Sequence, residues 1–262
     1  MLTIKNLSVS IGQRNLFQNI SLQAKTNEIT GLVGASGSGK STLFRLALGL
    51  LFPSLGYKWQ GQMDWKGIPL GEKPVPLLQP VFQDPFGSFS PYGTMRDLLL
   101  EPKRIQKHFF LNQEEKEEEW SKIETICQTF DLSLSLLDKT KQELSGGQLQ
   151  RFAILRSLLA NPEYLLLDEP VTALDVLVQK KIAEELKTIN REKQLGMLIV
   201  SHDIGFLSYM CDRLFVLEDG SITEMGTPKE ILKQPKSKLL QQLVAARSHS
   251  FVGLTSSSES SN

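Results

Sequence analysis

Eight consecutive residues, Gly34-Ala35-Ser36-Gly37-Ser38-Gly39-Lys40-Ser41, combine glycine, hydroxyl and one lysine at a spacing that suits phosphate binding. Glycine admits backbone conformations that a side chain blocks, so successive N–H groups can point inward at phosphate oxygens. The lysine and serine that open the expected helix add to this. Lys40 is placed to reach the β- and γ-phosphates, Ser41 to offer its hydroxyl to Mg²⁺, and Thr42 to add a further phosphate contact. A second run, Leu144-Ser145-Gly146-Gly147-Gln148, puts a serine and two glycines ahead of an apolar-periodic stretch. Ser145, Gly146 and Gly147 would form another helix N-terminus with exposed amides, again suited to an anion. A plain serine-capped helix explains the helix but not the double glycine. A third element is the pair Asp168-Glu169, which follows four apolar residues and precedes Pro170. A lone Asp-Glu pair is usually solvated, whereas here it stands at the end of a buried-looking run.

The elements that must hold these residues follow from periodicity. Glu28 to Val33 ends in an apolar stretch that suits a buried strand leading into the loop. Ser41 to Leu50 places Leu43, Leu46, Ala47 and Leu50 at helical spacing. Leu149, Phe152, Ala153 and Leu159 lie on or near one helical face, and Pro162 follows the expected stop. Tyr164 to Leu167 reads as a buried strand that delivers Asp168 and Glu169 to its C-terminal end, where ligands sit in open parallel sheets. Leu198 to His202 reads as another strand, ending at a histidine. Strands are also expected at Leu2–Val9, Ile20–Lys25 and Gly61–Trp65, and a hairpin about Glu218-Asp219-Gly220. The stretch from Gly67 to Pro80 carries four prolines and reads as a loop. From about Thr94 to Glu143 the pattern is helical and polar. Its run Glu114 to Glu119 reads as a solvated helix face.

Taken in this order, the chain resembles the ATPases of the ABC family over essentially residues 1 to 235. The resemblance implies an α/β fold: a P-loop NTPase (RecA-like) core, an antiparallel β subdomain, and an inserted α-helical signature subdomain at about 90–155. Residues 236–262 would form a C-terminal helix and tail, with serine-rich Thr255 to Asn262 disordered. It implies ATP and Mg²⁺ as ligands. Gly34 to Thr42 would hold the triphosphate. Asp168 resembles the Walker B carboxylate that holds Mg²⁺ through water, and Glu169 the base that orients or polarises the attacking water. Val81-Phe82-Gln83-Asp84-Pro85 looks like the Q-loop, whose Gln83 would contact Mg²⁺ or water. Thr172-Ala173-Leu174-Asp175 looks like the D-loop, which spans a dimer interface. His202 matches the switch histidine that contacts the γ-phosphate. In this family the signature of one subunit closes on ATP held by the other. Ser145, Gly146, Gly147 and Gln148 would therefore serve nucleotide on a second ATPase subunit, the same chain or a related one.

Composition bounds the rest. At 262 residues, with 40% hydrophobic and 22% charged residues, the chain fits one sizeable core with a subdomain. Formal net charge is zero, which argues against nucleic acid as a partner. Cys127 and Cys211 have no metal-like spacing and read as reduced thiols. No membrane-spanning apolar run or signal peptide is visible, so the expected place is the cytoplasmic face of a membrane, with another chain supplying the spanning part. The segment Phe82 to Pro91, continuing to Thr94-Met95-Arg96-Asp97 and Glu101-Pro102, is similar to that of oligopeptide, dipeptide and nickel importer ATPases. Such systems pair two ATPase chains with permeases and an extracytoplasmic binding protein. A soluble non-transport ABC ATPase and an exporter ATPase remain alternative readings. Phe86, Phe89 and Tyr92 are expected as an exposed permease-docking cluster, against the alternative that they pack inward. One departure concerns the base: where many members place a stacking aromatic, this chain has Ile11 before Gly12, and Phe17 is the nearest aromatic.

Overall fold

The computed structural model describes residues 1–108, 110–172 and 174–246; the expected disordered run Thr255 to Asn262 lies outside them. The chain divides into two compact units, one made of Met1–Val75 and the chain from Gly196 onward, the other of Pro76–Leu195.

The first unit opens on β1 (Leu2–Ile11) and β2 (Arg14–Ala24), joined antiparallel about Gly12-Gln13. The two are longer than the sequence pattern indicates. Polar residues from Arg14 to Asn19 hide the strand, yet Phe17 still pairs with Val9 and buries its ring. β3 (Ile29–Gly34) is buried along its whole length and feeds the glycine loop. α1 (Lys40–Ala47) then stops short of the expected Leu50, because Gly49 takes a left-handed φ of 67°. β4 (Tyr57–Trp65) is also longer than expected and pairs with the other side of β1, Leu2 opposite Trp65 and Ile11 opposite Tyr57. The expected loop from Gly67 to Pro80 is bounded by two short strands. β5 (Ile68–Pro69) pairs with β4, and β6 (Leu78–Val81) belongs to the second unit. Pro80 fits there because β6 is an edge strand, with no ladder bond lost on its outer side.

In the second unit, β6 leads through α2 (Pro85–Ser88), α3 (Met95–Leu99), α4 (Glu101–Gln106) and α5 (Gln113–Thr129) to α6 (Gly146–Leu159). β7 (Tyr164–Asp168) returns parallel to β6, and α7 (Val176–Lys193) closes the unit. α5 starts at a capping box in which Asn112 and Glu115 satisfy each other's backbone N–H groups. The acidic run on α5 is not uniformly solvated. Glu119 is buried, on the same inward stripe as Ile123 and Cys127, with Lys122 at 3.6 Å and Lys103 at 3.8 Å from its carboxylate. The four-residue spacing of that stripe carries one glutamate inward, and two lysines accompany it.

The chain re-enters the first unit as β8 (Gly196–Ser201), α8 (Ile204–Met210), β9 (Arg213–Glu218), β10 (Ser221–Gly226), α9 (Pro228–Lys233) and α10 (Lys238–Ala246). Strands β9, β3 and β8 lie parallel and adjacent, and β10 adds antiparallel to β9. β3 and β8 are buried throughout, as strands covered on both faces are. The β9–β10 turn has φ of 49° at Asp219 and 75° at Gly220, the two positive values that a tight hairpin demands. Both cysteines are buried.

Candidate nucleotide site

The glycine loop of the first unit has the geometry of a phosphate cradle. β3 ends at Gly34, the loop turns through positive φ at Gly37 and Gly39, and α1 starts at Lys40. At Gly39, φ is 96° and a Cβ would lie 3.0 Å from the Phe17 ring, so only glycine fits. The Lys40 ammonium folds back over the loop and donates to Gly34 O at 2.7 Å and Ala35 O at 2.8 Å. Ser38 Oγ is buried with no hydrogen-bond partner among the described residues. An orphaned hydroxyl within the glycine loop is what an arriving phosphate oxygen would satisfy. Ala35, Ser36 and Gly37 are exposed, and Ser41 and Thr42 are half-buried on the first turn of α1. His202 is exposed just beyond β8. Since Val33 stands opposite Ser201 in the β3–β8 pair, the histidine emerges abreast of the start of the loop.

The second unit gathers the other residues. In the β6–β7 pair, Val81 stands opposite Leu167. Gln83 and Glu169 therefore each leave two residues beyond the last pair, at the C-terminal ends of parallel strands. Asp168 and Glu169 are both buried, and Gln83 is exposed. Glu169 has a left-handed φ of 48°, and its Oε2 accepts from Thr172 Oγ1 at 2.9 Å. Ser145 is the N-cap of α6. Its hydroxyl accepts from Gln148 N–H at 3.2 Å, while Gln148 Oε1 accepts from Ser145 N–H at 2.9 Å. Gly146 has open space where a Cβ would be, and a Cβ on Gly147 would sit 3.0 Å from Leu174. The signature turn thus lies against the segment that ends in Asp175. Asp175 Oδ1 caps α7, accepting from Leu177 and Val178 N–H at 3.1 Å each.

Several supporting residues carry no motif. Gln179 donates to Val171 O at 3.1 Å and Leu174 O at 3.0 Å, fixing the turn between Glu169 and Asp175. Ser157 Oγ donates to Pro80 O at 2.6 Å. Lys141 is buried and donates to Phe86 O at 2.8 Å and Phe89 O at 2.7 Å. Arg156 donates to Ser88 O at 2.7 Å and lies 4.2 Å from the Phe89 ring centroid. Burial lowers the Arg156 pKa from its ordinary value, and the Glu101 charge opposes that shift. The contacts of Ser157, Lys141 and Arg156 span more than 50 residues, so no spacing in the sequence points to them. They also correct the expected aromatic cluster. Phe86 and Tyr92 are 48% and 82% exposed, but Phe89 is only 3% exposed, its ring under Arg156.

The family described as ABC transporter matches residues 17–172, more than half of the chain. The chain belongs to the ABC transporter family. Its cassette is an ATP-binding, ATP-hydrolysing one. It is 33% identical to the "Putative peptide import ATP-binding protein" of Brucella ovis over 233 residues, 88% of this chain and 72% of that protein. It is 36% identical to the nickel import ATP-binding protein NikE of Shigella dysenteriae over 216 residues, 80% of this chain and 77% of that protein. Among solved structures, this ABC chain resembles the dimeric ATP-binding cassette MJ0796 bound to ADP and Pi. The TM-score is 0.74 at 26% identity, covering 87% of this chain and 99% of that one. It also resembles cbiO1 of Clostridium perfringens, part of the ABC transporter complex cbiONQ. There the TM-score is 0.72 at 25% identity, covering 94% and 93% of the two chains.

Proposed function

We propose that this chain is the ATPase subunit of an importer for peptides or nickel, working as a dimer with itself or a related ATPase on the cytoplasmic face of a membrane. One observation carries the mechanism. Each unit presents an amide-rich helix start, Gly39-Lys40 in one and Ser145-Gly146-Gly147 in the other, and the latter is capped and open to solvent. The dimeric form of the similar cassette supports assigning the second to nucleotide on a partner subunit. Among the described residues no helix is long and apolar enough to cross a membrane, so permease chains would supply the path.

In this reading the loop amides from Gly34 to Gly39 and the Lys40 ammonium hold the triphosphate, with Thr42 as a further contact. Ser41, Asp168 and Gln83 are the residues that would hold Mg²⁺, a hard ion that keeps several waters and takes few protein ligands. When bound, the metal would supply charge neutralisation on the phosphate oxygens. Glu169 orients the attacking water and accepts its proton, and His202 senses the γ-phosphate. Asp175 holds the interface segment. Gln83 passes the state of the site to the permease-facing segment after it. Substrate choice rests with the permease and binding protein.

The test is Glu169→Gln. It is expected to retain ATP binding, to lose hydrolysis by about a hundredfold or more, and to elute as a dimer with ATP in gel filtration. Unchanged hydrolysis would remove Glu169 from its role, and a monomer at saturating ATP would remove the dimer.

A further inference from the structure

A cavity of about 630 Å³ opens beside the phosphate loop within the first unit, a size that takes a small-molecule ligand whole. Ala35 to Ser38 form one end of it. Its other walls come from β2, from the β9–β10 turn and from α10, which contributes Lys238 and Gln242. Phe17 is the one aromatic among the lining residues. It is 1% exposed and packs under the Gly39 backbone, so it offers no ring face. Ile11 is not part of the wall. Arg14, which is exposed, is the lining residue that carries a planar cationic group.

The α10 wall is built in. Glu218 Oε1 accepts from Leu239 N–H at 2.8 Å, Glu224 accepts from Lys236 and Ser237 N–H at 3.1 and 3.2 Å, and Leu240 is fully buried. Lys238 and Gln242 are four residues apart and share one face of the helix.

We propose that Arg14 and α10 form the nucleoside end of the ATP site: the guanidinium lies flat against the base, and Lys238 and Gln242 close the far side. The proposal rests on the reading that the Gly34–Lys40 loop binds the triphosphate. A guanidinium plane stacks on a base as it does on an aromatic face, replacing the ring that this family more often uses. Stacking favours the larger purine surface and reads no base edge. ATP and GTP are therefore expected to bind alike, and both more tightly than CTP.

The experiment measures equilibrium binding of ATP, GTP, CTP and inorganic tripolyphosphate by calorimetry. It uses the full chain, Arg14→Ala, Arg14→Lys, and the double variant Lys238→Ala with Gln242→Ala. Arg14→Ala is expected to weaken ATP about fivefold to tenfold, to narrow the gap between ATP and CTP, and to leave tripolyphosphate unchanged. Arg14→Lys keeps the charge but not the plane, and should match Arg14→Ala on ATP. The α10 variant should weaken ATP and spare tripolyphosphate. Unaltered ATP binding in Arg14→Ala, or an equal loss on tripolyphosphate, overturns the stacking role. No loss of ATP binding in the α10 variant overturns the α10 wall. Failure of the unaltered chain to bind either ATP or tripolyphosphate would instead sink the phosphate-loop reading beneath it.

Discussion

Lys40 and Glu169 illustrate two ways for a charged residue to be held. Lys40 is kept over its loop by two carbonyls, so its loss leaves the cradle with amides alone. Lys40→Ala is expected to lower both ATP affinity and turnover, read by calorimetry and a phosphate-release assay. Glu169 is kept by a turn and a threonine hydroxyl, and Glu169→Gln leaves that hydrogen bond an acceptor. The two variants should therefore separate binding from hydrolysis. Cys127 is a different case. Burial pushes its thiol up to about 11, with the Glu124 charge adding to the shift. A thiol raised in the fold favours the protonated form. Its contribution to stability is complete below the ordinary thiol pKa of 9.0 and is lost as pH rises toward 11. Cys127 should resist alkylation at pH 8 in the folded protein and react at once in denaturant. Rapid modification of the native chain would contradict its buried position.

At the scale of elements, the segment after Gln83 is two surfaces in one. Phe89 is packed under Arg156, while Phe86 and Tyr92 face outward, Phe86 with the Lys141 ammonium 4.3 Å from its ring centroid. Phe89→Ser should destabilise the protein by about 3–5 kcal/mol, seen in a urea melt. Phe86→Ser with Tyr92→Ser should leave the melt and basal hydrolysis near normal, yet uncouple hydrolysis from uptake in reconstituted vesicles. Full uptake would remove this surface from permease docking. The difference between these aromatics was not legible in the sequence, because what buries Phe89 is a guanidinium 67 positions away on α6. The same holds for Glu119, where the acidic run hides an inward stripe, and for β2, where polar residues mask a strand that pairs along its length. What was legible is what local chemistry dictates. The glycine loop between β3 and α1, the serine-led start of α6, the apolar β7 before its carboxylates, and the Asp219-Gly220 turn each follow from a few adjacent residues. Ser157 fixes the Pro80 carbonyl from 77 positions away and has no local signature.

At the scale of the whole molecule, the reading turns on a second subunit. Gly146 tests it cleanly, since among the described residues nothing outside its chain neighbours and its own helix backbone lies within 4 Å of the place a Cβ would take. Gly146→Leu adds bulk at the start of α6, at a position open to a Cβ. Replacing glycine in a helix improves its propensity by up to about 1 kcal/mol, so the fold should not suffer. ATP binding to the monomer is expected to persist, while ATP-driven dimerisation in gel filtration and cooperative hydrolysis are lost. Normal dimerisation of Gly146→Leu would place the signature turn away from the interface.

The backbone at Glu169 has a consequence for how this protein changes over generations. A left-handed φ costs a residue with a side chain about 1–2 kcal/mol, and glycine almost none. Selection on stability alone would therefore favour glycine at the position proposed to orient the attacking water. Glu169→Gly should melt at or above the wild-type temperature while its turnover disappears. Gene copies released from the demand for transport would drift that way first. Selection for heat resistance alone, applied in the laboratory without a transport requirement, should enrich inactive descendants altered at this residue.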